Sequence, residues 1–306
     1  MPADPQSSAI GGGHVSCISP ASFWTADHLV ESAWLEHGPF AFWLIDAIRP
    51  KTFVELGSHN GFSYFCVCQA VRQLGLGTAC YAIDSWQGDD HAGFYGEDVF
   101  AAVSAVHEQQ YSDISTLMRC YFSEALPHFT DGSIDLLHID GRHGYEDVLE
   151  DFSTWAPKLS PRGVVLFHDT NVLERDFGVW RLWAVLREQY PSFEFVHGHG
   201  LGVLALGPEI PEGLKPLVFA SETERAVIQR SYARLGRAIF LQRESEPGFD
   251  LGIQFLLASE VYRHMQQRTG RCNPQAIPQS LGERLQPIEH GTEVGLPDIA
   301  AIDYAQ

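Results

Sequence analysis

The side chains best placed for chemistry stand at the ends of two apolar stretches. Ile134 to Ile139 reads as a fully apolar strand that ends on Asp140, with His143 three residues later in a Gly-Arg-His turn. Gly163 to Phe167 reads as another and delivers His168 and Asp169. Strands lying side by side would bring Asp140 and Asp169 to one sheet edge. That spacing permits one octahedral divalent cation, completed by water and substrate oxygens.

The run Phe53-Val-Glu-Leu-Gly-Ser-His-Asn-Gly-Phe-Ser63 couples a short apolar strand to a turn and then to helical spacing from Phe62 to Leu74. Gly57 and Gly61 allow the tight turn and a close backbone approach. A dinucleotide or a phosphate is one candidate occupant. Against it, the pattern is acidic-x-Gly-x-x-x-Gly, not Gly-x-Gly-x-x-Gly, and no Lys-Ser/Thr follows. A carboxylate such as Glu55 repels phosphate and suits a cationic amino-acid cofactor, with Gly57, Ser58, His59, Asn60, Gly61 and Ser63 as the surrounding candidates. Asp84 closes Tyr81-Ala-Ile-Asp-Ser-Trp86, where an acidic residue can accept hydrogen bonds from both ribose hydroxyls. Ser85 and Trp86 adjoin it. Many α/β nucleotide binders share that device, so it indicates a ribose without naming the cofactor.

Glu55-Leu-Gly-x-x-x-Gly-x-Ser63 resembles the first motif of class I S-adenosylmethionine-dependent methyltransferases, and it is especially similar to the catechol O-methyltransferase-like branch. The resemblance covers about residues 52–206 and implies S-adenosyl-L-methionine as cofactor, with Asp140 also among its contacts. It implies adenine contacts in Tyr121-Phe-Ser-Glu-Ala125, where Ser123 is the candidate and an ordinary helix N-cap is the equal alternative. In the catechol branch the pattern matching Asp140 to His143 is Asp-x-x-Lys, the Asp binding a divalent metal and the Lys acting as general base. This chain has histidine at the base position, and Asp-Gly-x-His-x-Tyr resembles the sugar O-methyltransferases of macrolide biosynthesis. An imidazole near its usual pKa of about 6.5 can accept a hydroxyl proton near neutrality; the plainer reading is a turn histidine without a partner. The resemblance also makes Asp140 and Asp169 the metal pair, for Mg2+ or Mn2+. At the second strand end the chain departs from both patterns, Asp-Asn and Glu-Asp, and has His168-Asp169-Thr170. His168 as third ligand would suit manganese, iron, nickel or zinc better than magnesium, and Asn171 is an alternative oxygen donor.

These residues need a scaffold, and from Lys51 onward strands and helices alternate. Strands are expected at 52–56, 79–83, 117–121, 134–139, 163–168, 193–197 and 201–206, with helices near 62–74, 95–110, 145–156 and 177–189. Such alternation builds a mostly parallel α/β sheet covered on both faces. Only His197-Gly-His-Gly200 separates the last two strands, too little for a crossover, so they form an antiparallel hairpin. The expected class is thus a Rossmann-like methyltransferase fold: a seven-stranded sheet with a terminal antiparallel hairpin, N-terminal helices over 23–48 and a C-terminal helical appendage. The expected division is a flexible tail over 1–20, the methyltransferase domain over 21–208, and the appendage with its tail over 209–306. In the appendage, 221–242 places Ile228, Tyr232, Leu235 and Ile239 on one face, and 250–268 repeats the spacing. A complete sheet domain does not need that seam for its own core, which predicts a homo-oligomer through 221–268.

The formal charge of −19 argues against polyanionic partners, and the sequence shows no basic stripe of the kind a nucleic-acid binder uses. No stretch reaches the roughly 20 apolar residues of a membrane span, and Met1 to Ser22 lacks a secretory signal, so no membrane partner and a cytoplasmic location are expected. Six scattered cysteines read as reduced thiols. The expected function is metal-assisted O-methylation of a hydroxyl on a sugar, a glycan or a glycosylated natural product. The alternatives are an NAD-dependent oxidoreductase and a non-catalytic module of a glycan-assembly system.

Overall fold

The computed structural model describes residues 17–89, 93–174 and 176–244. The second expected appendage helix, 250–268, lies outside them. Seven strands form the main sheet: β1 (Thr52–Leu56), β2 (Ala79–Asp84), β3 (Ser115–Arg119), β4 (Ile134–Ile139), β5 (Leu159–His168), β6 (Ser192–Phe195) and β7 (Leu201–Ala205). Their spatial order is β3-β2-β1-β4-β5-β7-β6, parallel except for β7, which runs antiparallel to both β5 and β6. The chain starts at β1 and works outward, then returns to place β4 on β1's other side. Ligands of open α/β sheets bind where the strand order reverses, at the carboxyl ends. In this chain that crevice lies between β1 and β4, beside Gly57 and Asp140.

The principal helices are α1 (Gly38–Ile48), α2 (Phe62–Gln73), α3 (Glu97–Val106), α4 (Tyr145–Trp155), α5 (Val179–Gln189) and α6 (Glu222–Glu244). No helix among the described residues is long and apolar enough to cross a membrane.

Three expectations change. The strand expected at 117–121 begins at Ser115 and ends at Arg119, because the Ser115 hydroxyl is anchored to Tyr64 (2.6 Å) and Ser115 opens the β2 register opposite Cys80. The aromatic run from Phe23 is α-helical only from Gly38, with short 3-10 turns at Pro20–Phe23 and Leu35–His37. Residues 25–34 instead lie across α2 and the glycine turn: Gln69 bonds Asp27 N and Thr25 O, and the Asn60 side chain donates to Glu31 O. The seam of α6 is not spare. Ile228, Tyr232 and Ile239 are buried in the main core, and the Tyr232 hydroxyl donates to Cys17 O (2.6 Å) and meets Ser22 Oγ (3.1 Å). Packing therefore includes Cys17, within the expected tail, and the buried face of α6 packs within the chain.

Candidate active site

The glycine turn is shaped from below by Glu55. Its side chain is completely buried on β1, where Oε1 accepts from Ser58 Oγ (2.8 Å) and Oε2 accepts from His138 Nδ1 (2.8 Å). Trp34 Nε1 in turn donates to His138 Nε2 (3.1 Å), which fixes the imidazole as the Nδ1–H tautomer. β4 is thus not fully apolar as expected: His138 faces Glu55, and Asp135 accepts from Lys51 N and Ser160 Oγ.

Asp84 supports the same turn from its outer side. Its Oδ2 accepts from Ser58 N (2.8 Å) and His59 N (2.9 Å), and its Oδ1 from Trp86 N (2.7 Å). Trp86 Nε1 donates to His59 O, and the His59 ring stacks on Tyr95 at 4.7 Å. Gly57 has φ +84°, and a Cβ there would collide with the Asp140 carbonyl. That contact, with Asp140 N donating to Leu56 O, joins the glycine turn directly to the next cluster.

A cavity of about 760 Å³ runs over this edge. Of the expected cofactor residues, Gly57, Ser58, His59, Asn60, Ser63, Asp84, Ser85, Ser123 and Asp140 line it; Glu55, Gly61 and Trp86 lie behind the wall. Ser123 is not a helix N-cap. Tyr121 holds that position, its N–H bonded to the Glu124 carboxylate. Near Ser123 the wall is acidic, with Asp147, Glu150 and Asp151; burial and those two neighbours push the Asp151 carboxyl up to about 7. Glu31 to Trp34 form another part of the lining.

Past Gly57 the cavity reaches Asp140, His143, His168 and Asp169. His143 Nε2 lies 2.9 Å from Asp169 Oδ2 and 3.9 Å from Asp140 Oδ1, and its ring stacks on Phe177 at 4.4 Å. His143 is therefore not a solitary turn histidine. His168, buried on β5, directs Nδ1 at Asp140 Oδ1 (3.1 Å) and Asp169 Oδ2 (3.3 Å), while Nε2 donates to Gly198 O (3.2 Å). Burial opposes charge throughout this cluster, yet proximity wins. The two histidines hold Asp140 and Asp169 well below the usual carboxylate range. For His143, burial works downward, but hydrogen bonds to Asp140 and Asp169 raise it to about 9; His168 is likewise raised.

The donor set fits a divalent cation. The ligand atoms of Asp140, His143 and Asp169 all lie within 4.8 Å of one another. His168 shows the orientation typical of a metal-binding histidine, one ring N–H held by a carbonyl and the other nitrogen turned to the carboxylates. Sequence reasoning did not single out His138, Trp34 or His199 for this site. His138 left one signal, a histidine within an apolar strand; His199 sits in the His-Gly-His-Gly segment that was legible only as a turn.

A family model described as a methyltransferase domain matches residues 54–170. Protein y4gI of Sinorhizobium fredii, itself uncharacterised, is 54% identical over 218 residues, 71% of this chain. The chain spans only 24% of that relative's length. Among solved structures, the O-methyltransferase TomG of Streptomyces achromogenes, involved in tomaymycin synthesis and in complex with SAM, aligns at 17% identity with a TM-score of 0.43, over 58% of this chain and 82% of its own. Cofactor-bound Rv0187 from MTB aligns at 17% identity and TM-score 0.43, over 60% and 84%. The match to this methyltransferase domain opens inside β1 and closes at Thr170, so the similarity encloses the glycine turn, Asp84 and both carboxylates.

Proposed function

We propose that the chain is a metal-assisted O-methyltransferase acting on a hydroxyl of a sugar, a glycan or a glycosylated natural product. The observation that carries this reading is the meeting of Asp140, His143 and Asp169 at one end of a cavity whose other wall is the glycine turn. In this reading the turn residues from Gly57 to Ser63 hold the methionine part of S-adenosylmethionine, Asp84 and Ser85 face the ribose, and Ser123 faces the adenine. Glu55 acts from behind the wall, as a buried carboxylate whose field favours the cationic end of the cofactor.

Asp140, Asp169 and His168 would hold Mg2+ or Mn2+. The cation would neutralise the two carboxylates and lower the pKa of an acceptor hydroxyl. His143 contributes the base. Facing two bare carboxylates it is protonated at neutral pH, with a pKa of about 9, so it can accept a proton only when their charge is offset. Phe177, stacked on its ring, fixes its plane. Catalysis of this kind rests on positioning and preorganised electrostatics, with no covalent intermediate on the protein.

The acceptor wall supports a polar substrate with an apolar face. Asp89, Phe94 and Tyr95 line one side and Phe177 the other, and carboxylates beside aromatic rings suit sugar hydroxyls and ring faces. The test is methyl transfer from S-adenosylmethionine carrying a labelled methyl group to panels of sugars, glycosides and catechols, read by mass spectrometry with and without chelator. Label on a glycoside hydroxyl, lost with chelator and lost in His143→Ala, is the expected result. Transfer that persists in rigorously metal-free protein, or that occurs on catechols alone, overturns the reading.

A further inference from the structure

We propose that His199 is a metal ligand, and that with His168 and Asp169 it makes an imidazole-rich set for zinc or a divalent transition metal in preference to magnesium. The proposal rests on the cation reading of the same site and adds to it a ligand that arrives from the β6–β7 hairpin.

Three observations carry it. First, the ligand atoms of His168, Asp169 and His199 all lie within 4.8 Å of one another, and His199 lines the cavity. The His199 Nδ1 to Asp169 Oδ1 separation is 3.9 Å. That is too long for a direct hydrogen bond, yet shorter than two metal–ligand bonds of about 2.1 Å laid end to end. Asp169 presents its other oxygen, Oδ2, to His143, so its two oxygens serve imidazoles from two different elements.

Second, the turn that carries His199 is fastened to the end of β5. Asn171 N donates to His199 O (2.9 Å), Asn171 Nδ2 donates to Val196 O (3.0 Å), and Gly198 O accepts from both His37 Nε2 (2.9 Å) and His168 Nε2 (3.2 Å). One carbonyl thus orients His168 and fixes the residue before His199. A merely solvated turn histidine would need no such fastening to a ligand strand.

Third, Asp169 and His199 both adopt left-handed backbone, with φ of +60° and +67°. For residues other than glycine this conformation is uncommon and persists where the surroundings enforce it. They are two of six non-glycine residues with positive φ among the described residues, and these two face each other across 3.9 Å. Imidazole donors favour zinc, manganese, iron and nickel, whereas magnesium is served by oxygen ligands.

The experiment uses the full chain, stripped with chelator and titrated calorimetrically with Zn2+ and separately with Mg2+, as wild type, His199→Ala and Asp169→Ala. S-adenosylhomocysteine is titrated into the same samples. Wild type should bind Zn2+ at least about 10-fold more tightly than Mg2+. His199→Ala should lose at least about 10-fold in Zn2+ affinity, since even partners outside the ligand set are worth that much, while Mg2+ and S-adenosylhomocysteine binding stay unchanged. Co2+-loaded protein gives an independent readout, because loss of a nitrogen ligand shifts its visible absorption. Unchanged Zn2+ affinity in His199→Ala, or a Zn2+ site that survives Asp169→Ala, overturns the proposal. Failure of S-adenosylhomocysteine to bind wild type would strike the methyltransferase reading and leave the metal result standing.

Discussion

Gly57→Ala is the sharpest test of the link between the glycine turn and Asp140. A methyl group at this position would lie 2.7 Å from the Asp140 carbonyl carbon, and closer still to its oxygen, where ordinary van der Waals contact begins at 3.4 Å. The Asp140 backbone would have to retreat by at least about 0.7 Å. The residue is also left-handed, at φ +84°, which costs a non-glycine residue about 1–2 kcal/mol. Overpacking adds about 1–3 kcal/mol, and the stiffer unfolded chain returns less than about 1. The net loss is roughly 2–4 kcal/mol, or a fall in Tm of about 5–15 °C for a unit of this size. Function should suffer more than stability. A shift near 1 Å at a reacting group can cost about 10²-fold, and Asp140 sits at the centre of the site. Gly75→Ala is the control, since Gly75 is also left-handed (φ +62°) but a Cβ there meets nothing within 4 Å. Thermal melts and calorimetric titration with S-adenosylhomocysteine, run on both variants, separate the backbone cost from the collision. If Gly57→Ala melts with Gly75→Ala and keeps its affinity, the coupling through this contact does not exist.

Three further outcomes follow from the geometry. Asp84→Ala removes the acceptor of three backbone N–H groups and should weaken S-adenosylhomocysteine binding by roughly 1–3 kcal/mol; unchanged affinity by calorimetry would remove Asp84 from the site. His143 has a folded pKa of about 9, raised from an ordinary 6.5, so its stabilising contribution is complete below pH 6.5 and is lost as pH rises through 9. Its ceiling is about 3 kcal/mol, and in metal-free protein the stability gap between wild type and His143→Gln should narrow between pH 7 and 10; a constant gap refutes the assignment. Truncation after Pro208 removes α6 with Ile228, Tyr232 and Ile239, each worth roughly 1.5–3 kcal/mol of burial, and the product should be insoluble or unfolded; a soluble fragment with a cooperative melt would show that α6 is dispensable.

What the sequence made legible and what it hid divide along a physical line. Asp140, His143 and Asp169 were legible because each follows the end of an apolar strand, and the topology of an alternating chain fixes which edge those ends share. The same logic exposed the glycine turn and Asp84. Long-range pairings left no comparable trace. Glu55 and His138 are 83 positions apart and meet because β1 and β4 pair in the register Glu55↔His138. Trp34 then reaches His138 from a segment whose aromatic spacing imitated a helix. The seam of α6 was legible as a seam, but periodicity reports that a face is buried and not what buries it. His199 is the instructive case, for its turn was read correctly from the shortness of His197-Gly-His-Gly200. What those glycines accomplish is set by Gly200, whose left-handed backbone (φ +94°) packs against Thr170 and Asn171 at the end of another strand. The layout of the candidate site therefore depends on two turns, at Gly57 and Gly200, each pressed so closely on the strand end that carries Asp140 or Asp169 that no side chain fits between. Residue types at strand ends nominate the reacting groups, and the glycines that let neighbouring backbones touch decide which of those groups share one site.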